Sequence, residues 1–265
     1  MIDELTDPHG HVIPLGRRPQ RIVSTVPSQT ELLAHLGLED QLAGITAYCV
    51  HPQHLLKQKT VIGGTKDLQI ERIRTLQPDL IIGNREENIK EQMELLAREF
   101  PVWISDVKTV DDALDMIVKV GKLTATEKRS CEIHQKIQAE RNKLQPLPPL
   151  KVAYFIWKEP YMLAGPDTFI GNILQECGLK NIAPAGKGRY PEISLEELQQ
   201  LKPDLVLLSS EPWSFTAKDA HFMAGQIHKT LVKIVDGALF SWYGSRMQTC
   251  FKYLQAFSEE VRLSY

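Results

Sequence analysis

Five aromatic residues of this 265-residue chain, Tyr48, Trp157, Trp213, Trp242 and Tyr243, fall where short apolar strands are expected to end rather than on helix faces. Rings placed there suit stacking on a flat ligand. A large aromatic side chain buries roughly 150–250 Å². A fraction of that area per ring, at about 25 cal/mol/Å², gives a few kcal/mol. Association costs at least about 4 kcal/mol, so one ring does not suffice and three can. The same rings would equally serve as packing between two bodies. Four cations in strand-exit loops, Lys66, Arg85, Arg189 and Arg246, are candidate partners for carboxylate, phosphate or amide groups. Glu86 shares the exit loop of Arg85, and Tyr190 shares the basic-aromatic loop of Arg189.

Two further stretches carry chemistry. In Thr25-Val26-Pro27-Ser28 a strand hands over to a helix, and such turns lie at the ligand end of a parallel sheet. Pro27, Ser28, Gln29 and Thr30 are therefore candidate hydrogen-bonding residues; for Ser28 a plain N-cap role is the alternative. In AYCVHPQH an extended chain puts Cys49 and His51 on one side, where a thiolate and an imidazole could share a soft metal. His51 is the better axial ligand and Cys49 the next; packing and loop hydrogen bonds are the alternative. The pair His9 and His11 around Gly10 reads as turn and edge residues.

The surrounding pattern fixes the scaffold. Short β-branched strands at Arg21–Ser24, Leu42–Thr46, Leu80–Ile82 and Val102–Ile104 alternate with helical segments, the signature of a parallel α/β sheet. A second alternating series starts at Val152, continues at Leu205 and Leu231, and closes with a helix through Met247, Phe251, Leu254 and Val261. Between them Thr126–Gln145 holds no Gly or Pro and has a narrow stripe at Ile133, Ile137 and Leu144. That is a polar helix about 30 Å long, suited to bridging two bodies, and Pro146 ends it. IERIRTLQPDLII from Ile70 repeats as LEELQQLKPDLVLL from Leu195, at an offset of 125 residues for every match. The expected architecture is two Rossmann-like α/β lobes with central parallel sheets, joined by a long backbone helix, with a ligand cleft between lobes. The expected boundaries are an N-terminal lobe 1–108, a helical segment 109–149 and a C-terminal lobe 150–265.

Composition narrows the function classes. The chain is 43% hydrophobic and 24% charged with net charge −2 and no basic run, which disfavours nucleic acid. No apolar run reaches membrane-span length. Four scattered cysteines without CxxC argue for reduced thiols over a disulfide framework or zinc ribbon. HExxH, GxSxG, GxGxxG and P-loop motifs are absent, as is a paired-carboxylate motif. The start MIDELTDPHGHVIPLG has neither a basic n-region nor an apolar h-region, which as written points to the cytoplasm.

TDPHGHVIPL leading to RIVSTVPSQTELLAHLG, then TAYCVHP, GGTKDLQIERIRTLQPDLII, SLEELQQLKPDL and VDGALFSWYGSR, together resemble the substrate-binding proteins of ABC importers for cobalamin, haem and ferric siderophores, a group also described as helical-backbone metal receptors. The resemblance covers nearly the whole chain. It implies a monomeric, non-enzymatic protein without intrinsic cofactor that clasps cobalamin or a ferric chelate between its lobes. It implies a periplasmic or extracytoplasmic location and an ABC permease as partner. It also implies that Glu71 and Glu196, one per lobe, dock permease arginines; their alternative role is to favour a helix N-terminus. The rival functions on this fold are a chelatase-like enzyme and a cytoplasmic sensor.

Overall fold

A computed structural model describes residues 4–227 and 229–264. The chain divides into two compact units. The first comprises residues 1–107, 111–138 and 243–246; the second comprises 108–110, 139–242 and 247–265.

The first unit opens with an antiparallel hairpin, β1 (Glu4–Thr6) and β2 (Val12–Pro14), turned at Gly10, whose φ is 87°. The buried Asp7 carboxylate holds the turn by accepting from His9 N at 2.8 Å, His11 N at 2.9 Å and Ile104 N at 2.9 Å. Then come β3 (Ile22–Ser24), α1 (Pro27–His35), β4 (Leu42–Ile45), α2 (Leu55–Gln58), β5 (Thr60–Val61), α3 (Ile70–Leu76), β6 (Leu80–Asn84), α4 (Lys90–Ala97) and β7 (Val102–Ser105). The strands form a five-stranded parallel sheet in the order β5-β4-β3-β6-β7. Strands β3, β6 and β7 are buried along their whole length, so they read as apolar runs rather than alternating patterns. The chain leaves β3 toward β4 on one side, while β6 pairs on the other. The topological switch point, where open α/β sheets place ligands, is therefore at the carboxyl ends of β3 and β6.

The helical stretch contains the rod expected over Thr126–Gln145, but in shortened form. It comprises α5 (Val110–Leu123) and α6 (Glu127–Arg141), joined through Ala125 at φ 51°. Gly121 lies inside α5, where a Cβ would come within 2.0 Å of Ser130 Oγ on α6. Its missing side chain lets α6 approach. The 15 residues of α6 span roughly 22 Å and bury only Ser130 and Ile137, as a narrow stripe implies. The helix ends four residues before the expected Gln145, ahead of the proline run. Its residues through Gln138 belong to the first unit and those from Ala139 to the second.

The second unit follows the same plan with β8 (Lys151–Trp157), β9 (Met162–Leu163), α7 (Phe169–Glu176), β10 (Lys180–Asn181), α8 (Leu195–Leu201), β11 (Leu205–Ser209), α9 (Ala217–Gln226), β12 (Leu231–Val235), α10 (Gly237–Ser241) and α11 (Met247–Ser264). The parallel order is β10-β8-β11-β12, with β9 antiparallel on β8. Its switch point falls at the carboxyl ends of β8 and β11.

The sequence repeat has a physical basis in both units. Helices α3 and α8 each end on a left-handed residue, Gln77 at φ 46° and Lys202 at φ 49°, directly before a proline that cannot continue the helix. The aspartate after each proline clamps the neighbouring strand. Asp79 accepts from Gln20 N at 2.7 Å and Arg21 N at 2.8 Å; Asp204 accepts from Lys151 N at 2.7 Å. The Pro-Asp pair thus sets the register of β6 on β3 and of β11 on β8.

Candidate functional site

At the first unit's switch point the polar residues turn inward. The N-cap of α1 is Val26, in extended conformation and without a side-chain cap, so Ser28 is not the cap but lies in the first turn, 5% exposed. Gln29 and Thr30 are fully buried. Gln29 Nε2 donates to Gly83 O at 3.1 Å and Ser105 Oγ at 2.7 Å, and Thr30 Oγ1 bonds Ser24 Oγ at 2.8 Å and Val26 O at 3.1 Å. These side chains, expected to meet a ligand, instead lock three strand ends together; Pro27 alone of the four is half-buried. Four residues not anticipated from sequence complete the lock. Thr25 Oγ1 donates to Asn88 Oδ1 at 2.8 Å, Asn88 Nδ2 reaches Thr65 O at 3.1 Å, and Asn84 Nδ2 donates to Ser105 Oγ at 3.0 Å. For Asn84 and Ser105 the available signal is positional: a single polar residue closes the otherwise apolar strands LIIGN and VWIS. Buried polar groups are ordinarily paired, and this interlinked cluster, in which Gln29 Oε1 alone among the side-chain atoms named lacks a partner among the described residues, makes the ledge rigid.

Outside that ledge are the exposed candidates. Tyr48 is 62% exposed, and its ring packs on Gly64, where a Cβ would lie 3.0 Å from Tyr48 Cε2. Gly63, at φ 98°, has Asp67 O where a side chain would start, so GGTK forms a tight turn that only glycine allows. Lys66 Nζ donates to Glu86 O at 2.5 Å, and Arg85 Nη1 pairs with Asp106 Oδ2 at 3.0 Å. Both cations are exposed, and Glu86 is half-buried.

Cys49 and His51 do not share a side. The chain turns at Ala47–Tyr48 instead of running extended, so Cys49 is fully buried while His51 is exposed. Cys49 Sγ lies 3.1 Å from Thr30 Oγ1 and 3.3 Å from Thr46 Oγ1, and burial pushes its pKa up. A protonated, enclosed thiol is a poor metal ligand. Among the described residues, no group of three or more His, Cys, Asp or Glu side chains is arranged to hold a metal ion. Burial also pushes Cys177 up to about 12 and raises Cys250, whereas Cys131 is exposed. At pH 8 a thiol-reactive disulfide reagent is therefore expected to label Cys131 rapidly and the other three only on unfolding. Rapid labelling of Cys49 in the native protein would contradict its burial.

In the second unit, aromatic rings occupy the switch point itself. Trp157 ends β8 and Trp213 follows β11; their rings meet edge to face at 5.2 Å, and Trp157 is 37% exposed. Trp213 is half-buried against the cluster of Phe155, Leu208 and Phe215, which fixes the pair from below. Trp242 Nε1 donates to Glu211 Oε1 at 2.8 Å, as does Ser241 Oγ at 2.9 Å, which fixes the orientation of that indole. Lys158 Nζ binds Asp219 Oδ1 at 2.7 Å and holds this carboxyl at about 2. Arg189 donates to Asp167 O at 2.9 and 3.2 Å and is half-buried, as is Tyr190.

Two candidates from the chain's end are structural. Residues Tyr243–Arg246 belong to the first unit. Tyr243 is 5% exposed, so it offers no free ring face, and burial raises its pKa well above the ordinary tyrosine value. Arg246, expected as a ligand cation, makes a two-pronged bond to Glu31 on α1, Nε to Oε2 and Nη2 to Oε1, each at 2.8 Å. His35 Nδ1 adds a bond to Ser245 Oγ at 2.8 Å.

Glu71 and Glu196 occupy the first turns of the paired helices α3 and α8, and both are exposed. Glu71 pairs with Arg74 on its own helix, and Arg74 also binds Glu99. Glu196 accepts from its own backbone N–H, which lowers its pKa, as expected for an acid at a helix amino end. Ser194 and Glu197 form a capping box.

Comparison with known proteins gives a consistent result. A family model described as "Periplasmic binding protein" matches residues 22–229. The vitamin B12-binding protein of Pectobacterium atrosepticum is 26% identical over 200 residues, covering 72% of this chain and 71% of the relative. The solved periplasmic vitamin B12 binding protein BtuF of Vibrio cholerae superposes with a TM-score of 0.79 at 21% identity, covering 92% of this chain and 98% of that one. The periplasmic heme-binding protein RhuT of Roseiflexus gives 0.75 at 20% identity, with 92% and 99% covered. These structures share the fold, and the family match spans most of the sequence: the chain belongs to the periplasmic binding protein family.

Proposed function

We propose that this chain is the substrate-binding component of an ABC importer and that its ligand is a corrinoid or another metal chelate. The observation that carries the reading is the Trp157–Trp213 pair, with Trp157 exposed, at the switch point of the second unit, the position where an open α/β sheet receives a ligand. In the first unit Tyr48 presents an exposed ring beside the polar ledge. Rings fixed by packing lose little freedom on binding and suit a macrocycle. The relatives named above are a vitamin B12-binding protein and a heme-binding protein, which supports a tetrapyrrole-like guest. Family membership supports binding without turnover and work outside the cytoplasm. Lys66, Arg85 and Arg189 are the cations we assign to the ligand's polar periphery.

Purified chain equilibrated with cyanocobalamin, haemin or a ferric siderophore and then desalted is expected to retain the visible absorbance of one of them at one ligand per chain. Loss of all three on desalting, or chemical conversion of the ligand, would set the reading aside.

We assign Glu71 and Glu196 to permease docking, supported by their matched exposure on equivalent helices. Charge reversal in Glu71→Lys is expected to slow uptake by the reconstituted importer about threefold, the scale of one exposed ion pair, with ligand affinity unchanged. Equal uptake would leave Glu71 with its helix role alone.

A further inference from the structure

We propose that the first unit carries an oxyanion-binding subsite in the cavity of about 280 Å³ beside the end of β6, lined by Pro8, His9, Asn84, Arg85, Asn88, Lys90, Met93 and Ile104. Arg85 and Lys90 bring positive charge to its wall, and among the described residues that line it there is no carboxylate. His9 Nε2 is buried and has no hydrogen-bond partner among the described residues, although a buried polar atom ordinarily has one. Asn84 is 1% exposed; one hydrogen of its amide goes to Ser105, which leaves the second for a guest. Asn88 is committed, because its amide reaches both Thr25 O and Thr65 O. The amino end of α4 borders the same space at Lys90, and its N-cap, Ile89, has no side chain able to satisfy the first-turn N–H groups.

The cations retain donors for a guest. Arg85 spends one nitrogen on Asp106, and Lys90 lies 3.5 Å from Glu94 in an exposed pair. Met93 and Ile104 add an apolar wall. The volume falls just under the range of about 300–1,000 Å³ typical of small-molecule pockets. A phosphate or carboxylate group on a small body is the chemistry that answers this lining. Its source is either a free anion or an anionic arm of the transported chelate. The second source rests on the proposed function; the first does not.

The test is calorimetric titration of the whole chain with inorganic phosphate at fixed ionic strength, repeated with Lys90→Met and His9→Gln. Lys90 is exposed, so its variant preserves the fold. Saturable binding at one site is expected, weakened by about fivefold in Lys90→Met, the scale of one unit-charge contact at about 4 Å in water. His9→Gln, which removes the imidazole from the wall, is expected to weaken it further. Absence of saturable heat, or equal affinity in wild type and both variants, overturns the proposal. Repeating the titration with cyanocobalamin present separates the sources: competition identifies an arm of the chelate, and independent binding identifies a free anion. A chain that binds phosphate but no chelate would keep the subsite and remove only the transport reading.

Discussion

Replacing Trp157 by alanine is expected to weaken chelate binding by more than about tenfold, with the fold intact by circular dichroism. Trp157 stands at the last position of β8 and is held edge to face by Trp213 at 5.2 Å, so its ring is already oriented before a ligand arrives. If the ligand covers about 100 Å² of that ring, the lost contact is worth about 2.5 kcal/mol at 25 cal/mol/Å². Tenfold in affinity is about 1.4 kcal/mol, so the loss is comfortably measurable even with partial repacking. Phenylalanine at the same position should recover part of it, because a smaller ring keeps stacking and loses area. An alanine variant with wild-type affinity would show that the ligand lies elsewhere.

The second large effect concerns stability. Arg246→Ala is expected to lower unfolding free energy by about 3–5 kcal/mol, because it strips the counter-charge from a buried carboxylate. The Glu31 side chain is only 9% exposed and that of Arg246 14%. At roughly 2–4 °C per kcal/mol for a chain of this size, the melting temperature should fall by on the order of 10 °C. Lysine should restore only part of the loss, since it replaces a two-pronged guanidinium with a point charge. A loss below about 1 kcal/mol would mean that the pair behaves as an exposed surface bridge.

That same pair shows where sequence reading stops. Arg246 lies in an aromatic strand-exit segment, and nothing local distinguishes a ligand cation from an arginine committed to Glu31 215 positions away. Tyr243 was grouped with the stacking rings for its place after a strand, yet it is buried in the other unit. Gln29 and Thr30 carry hydrogen-bonding chemistry at the expected turn, but their buried side chains are spent on fixing strand ends, and Ser28 is buried with them. Cys49 failed for a simpler reason: alternation holds only in extended chain, and a turn at Tyr48 broke it.

What was legible rests on period and punctuation. The apolar strands, the capping box at Ser194 and the Pro-Asp repeat are local features, and each survives in the structure. The two-residue strands β5 and β10 leave no such trace, because two residues cannot show a period. Helix α9 was missed although Thr216 and Asp219 form a capping box, since it buries only Met223 and so shows no apolar stripe. Glycine usually weakens helices, but at Gly121 the close approach of Ser130 offsets that preference.

An equilibrium titration followed by tryptophan fluorescence decides whether aromatic strand ends take a metal chelate. Cyanocobalamin, haemin and a ferric siderophore would be added in turn to wild type and to Trp157→Ala. One of the three should quench wild-type emission to saturation at one equivalent, and the variant should need more than about ten times as much for half-saturation. Quenching that never saturates with any of them, or identical curves for the two proteins, would contradict the proposed binding surface.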